Sequence, residues 1–255
     1  MANAPSGRSG RDMSQVRFRQ DMWIPVRLTC REIAIRHTPS YSLARVTLGG
    51  GEQVCAESGS MASMSLGMQI EAAAKGGVLK SLTRGVLGGE SVFVSTYTAP
   101  DPGGFVELTP TLPGDITEVE ITDDMALFIT RGCWLASSPT IELDTKWGGF
   151  KNFFGGEGGF IIKAVGAGQV LLSCHGALDC FDLAETGPMT IDTGHVVAYD
   201  ESVEIGIRKA APGLVQSIKS GEGLVFDVQG SGRVWMQSRN PSGLASWISG
   251  MHSHG

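Results

Sequence analysis

Gly89-Glu90-Ser91-Val92-Phe93-Val94, Gly156-Glu157-Gly158-Gly159-Phe160-Ile161 and Gly221-Glu222-Gly223-Leu224-Val225-Phe226 state one phrase three times, with the glutamates 67 and 65 positions apart. Each phrase runs on to a glycine-rich turn and a second apolar stretch. The stretches are Gly103-Gly104-Phe105-Val106, Gly166-Ala167-Gly168-Gln169-Val170 and Gly230-Ser231-Gly232-Arg233-Val234. A fixed period of this size marks a structural unit used repeatedly. Around the phrases, alternating segments such as Thr117-Glu118-Val119-Glu120-Ile121-Thr122 have the texture of half-buried strands. The third copy stops after Arg239, and the head of the chain supplies matching text in Ala44–Gly49, Gln53–Ala56, Gly59–Ala62 and Gln69–Glu71. On this reading Ala62, Ala136 and Ala198 are equivalent. The chain reads as three permuted copies of one unit with adjacent termini, in an all-β fold with one compact body.

Composition agrees with that class. Glycine is abundant at 36 of 255 residues and charged residues make up 18%. Glycine without collagen periodicity, among many Val, Ile, Leu and Thr, points to short strands and tight turns. The expected organisation is an Arg-rich flexible extension over 1–29, a single β domain over 30–240 and a C-terminal tail over 241–255. One stretch departs from strand texture. Ala72–Arg84 is the best helix candidate, shortened by Gly76-Gly77. No run approaches 18 uninterrupted apolar residues, and the head lacks a secretory pattern, so a cytoplasmic location is expected. A mitochondrial location would require residues 1–29 to act as a transit peptide, and Pro5, Gly7 and Gly10 interrupt an amphipathic helix there.

The net charge of −6 hides an asymmetry. Residues 1–46 carry eight Arg against Asp12, Asp21 and Glu32, while the remainder carries 12 basic and 23 acidic groups. An acidic body is a poor match for a phosphate backbone, so nucleic acid is disfavoured as a partner.

Candidate chemistry is sparse. Cys30, Cys55, Cys133, Cys174 and Cys180 are an odd, scattered set that reads as reduced, mostly buried thiols. Cys174-His175-Gly176-Ala177-Leu178-Asp179-Cys180 lacks zinc spacing and a second pair, and core thiols explain it better. His195 reads as a hydrogen-bonded rim residue, His252 and His254 as part of a frayed terminus. Met61, Met64 and Met68 read as packed gap-fillers rather than a metal site. Gly166-Ala167-Gly168 and Gly230-Ser231-Gly232 read as hairpin turns needing positive φ, since no helix follows and the third glycine of a dinucleotide fingerprint is missing. Gly89, Glu90, Gly156, Glu157, Gly221 and Glu222 mark the repeat, their carboxylates serving turns. No catalytic residue, cofactor or metal ligand is assigned, and the chain is expected not to be an enzyme. The best interaction candidate is the glycine-flanked set Trp147, Phe150, Phe153 and Phe154, which is costly to expose. It would meet a neighbouring subunit, with the same chain, a lipid headgroup or a ligand as alternatives.

The motifs Gly51-Glu52, Ala56-Glu57-Ser58-Gly59-Ser60-Met61, Gly89-Glu90-Ser91-Val92-Phe93, Gly155-Gly156-Glu157-Gly158 and Gly221-Glu222-Gly223-Leu224-Val225, followed by Gly230-x-Gly232-x-Val234-Trp235-x-Gln237-Ser238-Arg239, resemble the altered inheritance of mitochondria protein twenty-four family. The resemblance runs from about Glu32 to Arg239. It implies short double-stranded β-helix units similar to the tryptophan RNA-binding attenuation protein (TRAP-like), three to a chain, with three chains in a nine-unit ring. It also implies a homotrimeric scaffold, peripheral to a membrane and with a membrane-associated protein partner, and it carries no catalytic residues over. The alternative it leaves is a ligand- or nucleic-acid-binding ring.

Overall fold

A computed structural model of the chain describes residues 26–28, 31–75, 92–144, 161–210 and 224–252. Two short strands come first, β1 (Val26–Leu28) and β2 (Arg31–Arg36). Six more follow: β3 (Leu43–Gly49), β4 (Gln53–Glu57), β5 (Met61–Met64), β6 (Gln69–Lys75), β7 (Val92–Thr98) and β8 (Gly103–Leu108). The middle of the chain gives β9 (Ile116–Ile121), β10 (Leu127–Thr130), β11 (Trp134–Ser137), β12 (Glu142–Asp144), β13 (Ile161–Val165) and β14 (Gly168–Ser173). The last part gives β15 (Leu178–Asp182), the one-turn helix α1 (Leu183–Thr186), β16 (Met189–Asp192), β17 (Val196–Asp200), β18 (Val203–Lys209), β19 (Leu224–Gly230) and β20 (Arg233–Gln237), then helix α2 (Pro241–His252).

The protein is predominantly β, and every pairing between these strands is antiparallel. Four sheets result, with strand orders β1-β2-β3-β8-β5, β6-β7-β4-β11-β14-β9, β12-β13-β10-β17-β20-β15 and β16-β19-β18. Burial follows position in the sheets. In β3, Ala44, Val46 and Leu48 are buried while Thr47 faces out, the pattern of a strand covered on one side. All of β11 (Trp-Leu-Ala-Ser) and all of β17 (Val-Val-Ala-Tyr-Asp) are buried, which requires cover on both faces. Three apolar clusters lie along the body, one around Val46 and Leu108, a central one around Trp134 and Leu172, and one around Phe226 and Val234.

Several expectations change. The head strands do not complete the last copy: β3 to β6 pair with β7 and β8, whereas β19 and β20 pair with β15 to β18. Local hairpin closure costs less chain entropy than joining the two ends, and it wins here. Nor do Ala62, Ala136 and Ala198 share one place. Ala62 lies inside a register shift between Met61 and Ser63, while Ala136 and Ala198 follow the shifts that begin at Trp134 and Val196. Ala72 to Lys75, taken as the start of a helix, end β6 instead, opposite Ser95 to Val92. Pairing along β7 outweighs the helical preference of three alanines. The tail over 241–255 contains α2, whose Pro241 stands in the first turn where no amide donor is needed.

Candidate functional site

The sequence-selected residues Trp147, Phe150, Phe153 and Phe154, and the repeat-marking Gly89, Glu90, Gly156, Glu157, Gly221 and Glu222, lie outside the described residues. The remaining candidates are placed, and they separate. Cys174 directly follows β14, is 5% exposed and donates its thiol to the Gly176 carbonyl at 3.3 Å. Burial pushes its pKa up to about 11, and that of the neighbouring buried Cys133 up to about 12. Both are inert core thiols at neutral pH. Cys180, read as its companion in the core, is exposed on β15 opposite Trp235. Leu178, on the same face of β15, packs against the central cluster, but β15 is the edge strand of its sheet and leaves Cys180 uncovered.

His175 and His195 serve one organiser, Gln237, which ends β20 and is 4% exposed. Its side-chain oxygen accepts the His175 backbone N–H at 2.8 Å, and its amide donates to the Gly194 carbonyl at 2.9 Å. The Gln237 carbonyl faces His195 Nδ1 at 2.7 Å, and the Pro113 carbonyl faces His175 Nδ1 at 3.0 Å. A carbonyl only accepts, so each imidazole is protonated at Nδ1. The rim reading of His195 holds. The two glycine-rich turns also read correctly, since Gly166, Gly168, Gly230 and Gly232 all have positive φ. At Gly232 a Cβ would lie 2.4 Å from Ser202 Oγ, so a side chain is excluded there on two counts.

Among the described residues no group of three or more His, Cys, Asp or Glu stands together as a metal site. A cavity of about 10 Å³ lined by Ser137, Ser138, Gln169 and apolar neighbours has room for about one water. Ser137 Oγ, buried without a protein partner, is the group such a water would satisfy.

What remains is surface, where the exposed large apolar side chains among the described residues are Tyr41, Met61, Leu66, Ile70, Phe93, Trp247, Ile248 and Met251. At the β5 end, Met61 is 37%, Ile70 43% and Phe93 55% exposed. Ile70 lies opposite the buried Tyr97, and Phe93 is on the same face of β7, so both continue the apolar side of the sheet past the core. Beside them Glu107 on β8 draws in Ser63, Arg45 and Arg36. Ser63 Oγ donates to it at 2.5 Å, Arg45 through Nη2 at 2.8 Å and Nε at 3.0 Å, and Arg36 through Nη2. The Ser63 hydrogen bond first, then the two guanidinium groups, hold its carboxyl below the usual carboxylate range. Ser63 is the middle of β5, so this cluster fixes that edge strand before anything covers it.

At the other end, β16 is the outer strand of the three-stranded sheet. The turn after it is held by Asp192, which accepts from Gly194 N at 2.9 Å, and by Gln237. Helix α2 follows, with Leu244, Trp247, Ile248 and Met251 at the spacing of one helical face and no Asp, Glu, Lys or Arg in its sequence. Trp247 is 64% and Met251 62% exposed. Sequence reading missed both ends, because exposure of a strand edge is settled by tertiary pairing and leaves no periodic signal.

Fold and surface together define a predominantly β protein of antiparallel sheets, with exposed apolar side chains on β5, β6, β7 and α2. The chain belongs to the AIM24 family, described by mitochondrial biogenesis, whose model matches residues 33–239. It is 29% identical over 215 residues to the uncharacterized protein M6_Spy0233 of Streptococcus pyogenes serotype M6, covering 81% of this chain and 85% of that one. Its fold is similar to the crystal structure of protein SPYM3_0169 from Streptococcus pyogenes, with a TM-score of 0.68 and 26% identity, over 86% of this chain and 98% of the other.

Proposed function

We propose that the chain is a non-enzymatic structural scaffold, built from three copies of one six-stranded, TRAP-like unit and assembled with its own kind as a trimer. The observation that carries this reading is a pairing scheme that recurs through β3–β8, β9–β14 and β15–β20. In each set the first strand pairs with the sixth, the second with the fifth, the third with the sixth and the fourth with the fifth. The register shift falls in the third strand each time. Such units associate side by side within the chain, and exposed apolar groups at both ends support continuing that association between chains.

A position peripheral to a membrane, beside a membrane-associated protein, is the second part of the proposal. Its support is the uncharged, Trp- and Met-bearing face of α2, together with the family description. No described helix is long and apolar enough to cross a bilayer. The acidic balance of −6 argues against the nucleic-acid-binding alternative. Multi-angle light scattering of the full chain across micromolar concentrations is the test. A mass near three chains is expected, and a monomer throughout would end the reading.

A further inference from the structure

Resting on that repeated-unit reading, we propose that β16 of one copy pairs antiparallel with β5 of the next, fusing the three-stranded sheet of one chain with the five-stranded sheet of its neighbour. The joint is continuous with two that the chain already makes within itself. The second strand of one set pairs with the third strand of the following set, β4 with β11 and β10 with β17. Each joint produces a six-stranded sheet of one order, β6-β7-β4-β11-β14-β9 and β12-β13-β10-β17-β20-β15. The second strand of the last set is β16 and the third strand of the first set is β5. Neither has a partner on its outer side among the described strands. Placed together they give β18-β19-β16-β5-β8-β3, the same order again, with β2 and β1 appended.

A second observation singles out the same two edges. Four sheets present eight edge strands, and exposed edges are ordinarily guarded by charge or proline. β1 is only three residues long, itself a guard, while Glu71 guards β6, Glu118 and Glu120 guard β9, and Glu142 and Asp144 guard β12. Likewise Asp179 and Asp182 stand in β15, and Glu204, Arg208 and Lys209 in β18. The two exceptions are β5, Met-Ala-Ser-Met, and β16, Met-Thr-Ile-Asp, whose terminal Asp192 is engaged with Gly194 N and whose Thr190 hydroxyl is held from the inner side by the Arg208–Asp227 pair of β18 and β19. The register shift in β5 is no guard, because the same shift occurs in β11 and β17, which are paired on both sides.

The existing joints also set the register. Ile129 lies opposite Ala198, Phe128 opposite Tyr199 and Leu127 opposite Asp200. Aligning the fifth strands on Val165-Gly166 and Gln229-Gly230 superposes Ile162 on Phe226, and hence their partners Ile129 and Ile191. The third strands superpose at the residue after the shift, Ala198 on Ser63. Ile191 therefore faces Ser63 of the next copy, Thr190 faces Met64, and Met189 faces Ser65. The Thr190–Met64 pair takes the place of Phe128 and Tyr199, whose rings stack at 5.1 Å. The contact uses different patches on the two copies, so copies add head to tail and either close into a ring or continue as a filament.

Directly opposed residues of an antiparallel pair have Cα atoms about 4.5–5.5 Å apart, within disulfide reach. The test uses two full-length single variants, Thr190→Cys and Met64→Cys, each in a Cys180→Ser background and carrying tags of different mass. They are co-expressed and oxidised, with folding checked by circular dichroism. A mixed disulfide of both tags, absent when either variant is oxidised alone, is the expected result. Met189→Cys with Ser65→Cys gives the same readout one pair along and decides the matter should the first pair fold poorly. An intact oligomer by light scattering with no mixed disulfide at either pair overturns the joint and leaves the scaffold reading standing. Crosslinking of a single variant with itself also overturns the joint, since it indicates like-to-like contact. A protein that is monomeric throughout overturns both.

Discussion

β17 and β5 make the same local contacts and live in different surroundings. Each pairs antiparallel with one later strand, β17 with β20 and β5 with β8, across a register shift. β17 has β10 on its other side, and all five of its residues are buried. β5 has no described neighbour there, and Met61 and Ala62 are exposed while Ser63 and Met64 are half-buried. Burial along a strand is thus set by what lies beyond its outer edge as much as by its own side chains. An edge that is uncharged, extended and already anchored lacks only a neighbour.

The largest effect expected from this contrast comes from cutting the filled joint. Ile129→Ala removes a fully buried side chain between β13 and β17 and should cost roughly 2–5 kcal/mol in urea unfolding, at any protein concentration. Thr190→Lys at the unfilled edge gives up the exposed hydrogen bonds of the Thr190 hydroxyl with Asp227 and Arg208 and should cost the diluted chain only about 1 kcal/mol, yet should shift the assembly toward monomer in light scattering. Equal effects of the two on folding would erase the distinction between the joints.

Gln237→Leu probes how the β16 end is held open. It removes the acceptor of the His175 amide and the donor to the Gly194 carbonyl in a buried place, at a cost of about 1–3 kcal/mol for each group left unpaired. Thermal unfolding measures the sum, and destabilisation should be largest in the turn after β16.

Glu107 probes the β5 end through pH. Its folded pKa lies below the unfolded value of about 4.3, so its contribution is fully present above that value and is lost as pH falls through the lowered one. Glu107→Gln should lower stability at neutral pH by roughly 1–3 kcal/mol and flatten the acid limb of the stability profile. An acid limb as steep as that of the unaltered protein would show that the Ser63 and arginine contacts contribute nothing to fixing the edge.

The sequence carried the strand class and the hairpins, because alternation in Leu43–Leu48 and glycines at Gly166 and Gly230 are local signals with local causes. It also carried the family. It misjudged which strands the head of the chain joins, since the head and tail texts match equally well and only pairing in space chooses between them. Ala72-Ala73-Ala74 misled for a related reason: alanine favours helix when free, and β7 leaves it none of that freedom. Gln237 was visible only as one letter of a motif, because a buried amide that binds two distant turns has no periodic trace. The unguarded edges could have been suspected from the absence of charge in Met61–Met64. That absence gains meaning only once the guarded edges are known.

Amide hydrogen exchange of the assembled full-length protein bears most directly on the claim that sister chains complete the unfinished sheets. Met61–Met64 and Met189–Asp192 should exchange as slowly as Leu127–Thr130 and Val196–Asp200, and should speed up together on dilution to monomer. Fast exchange of both edges within the intact assembly would contradict the account.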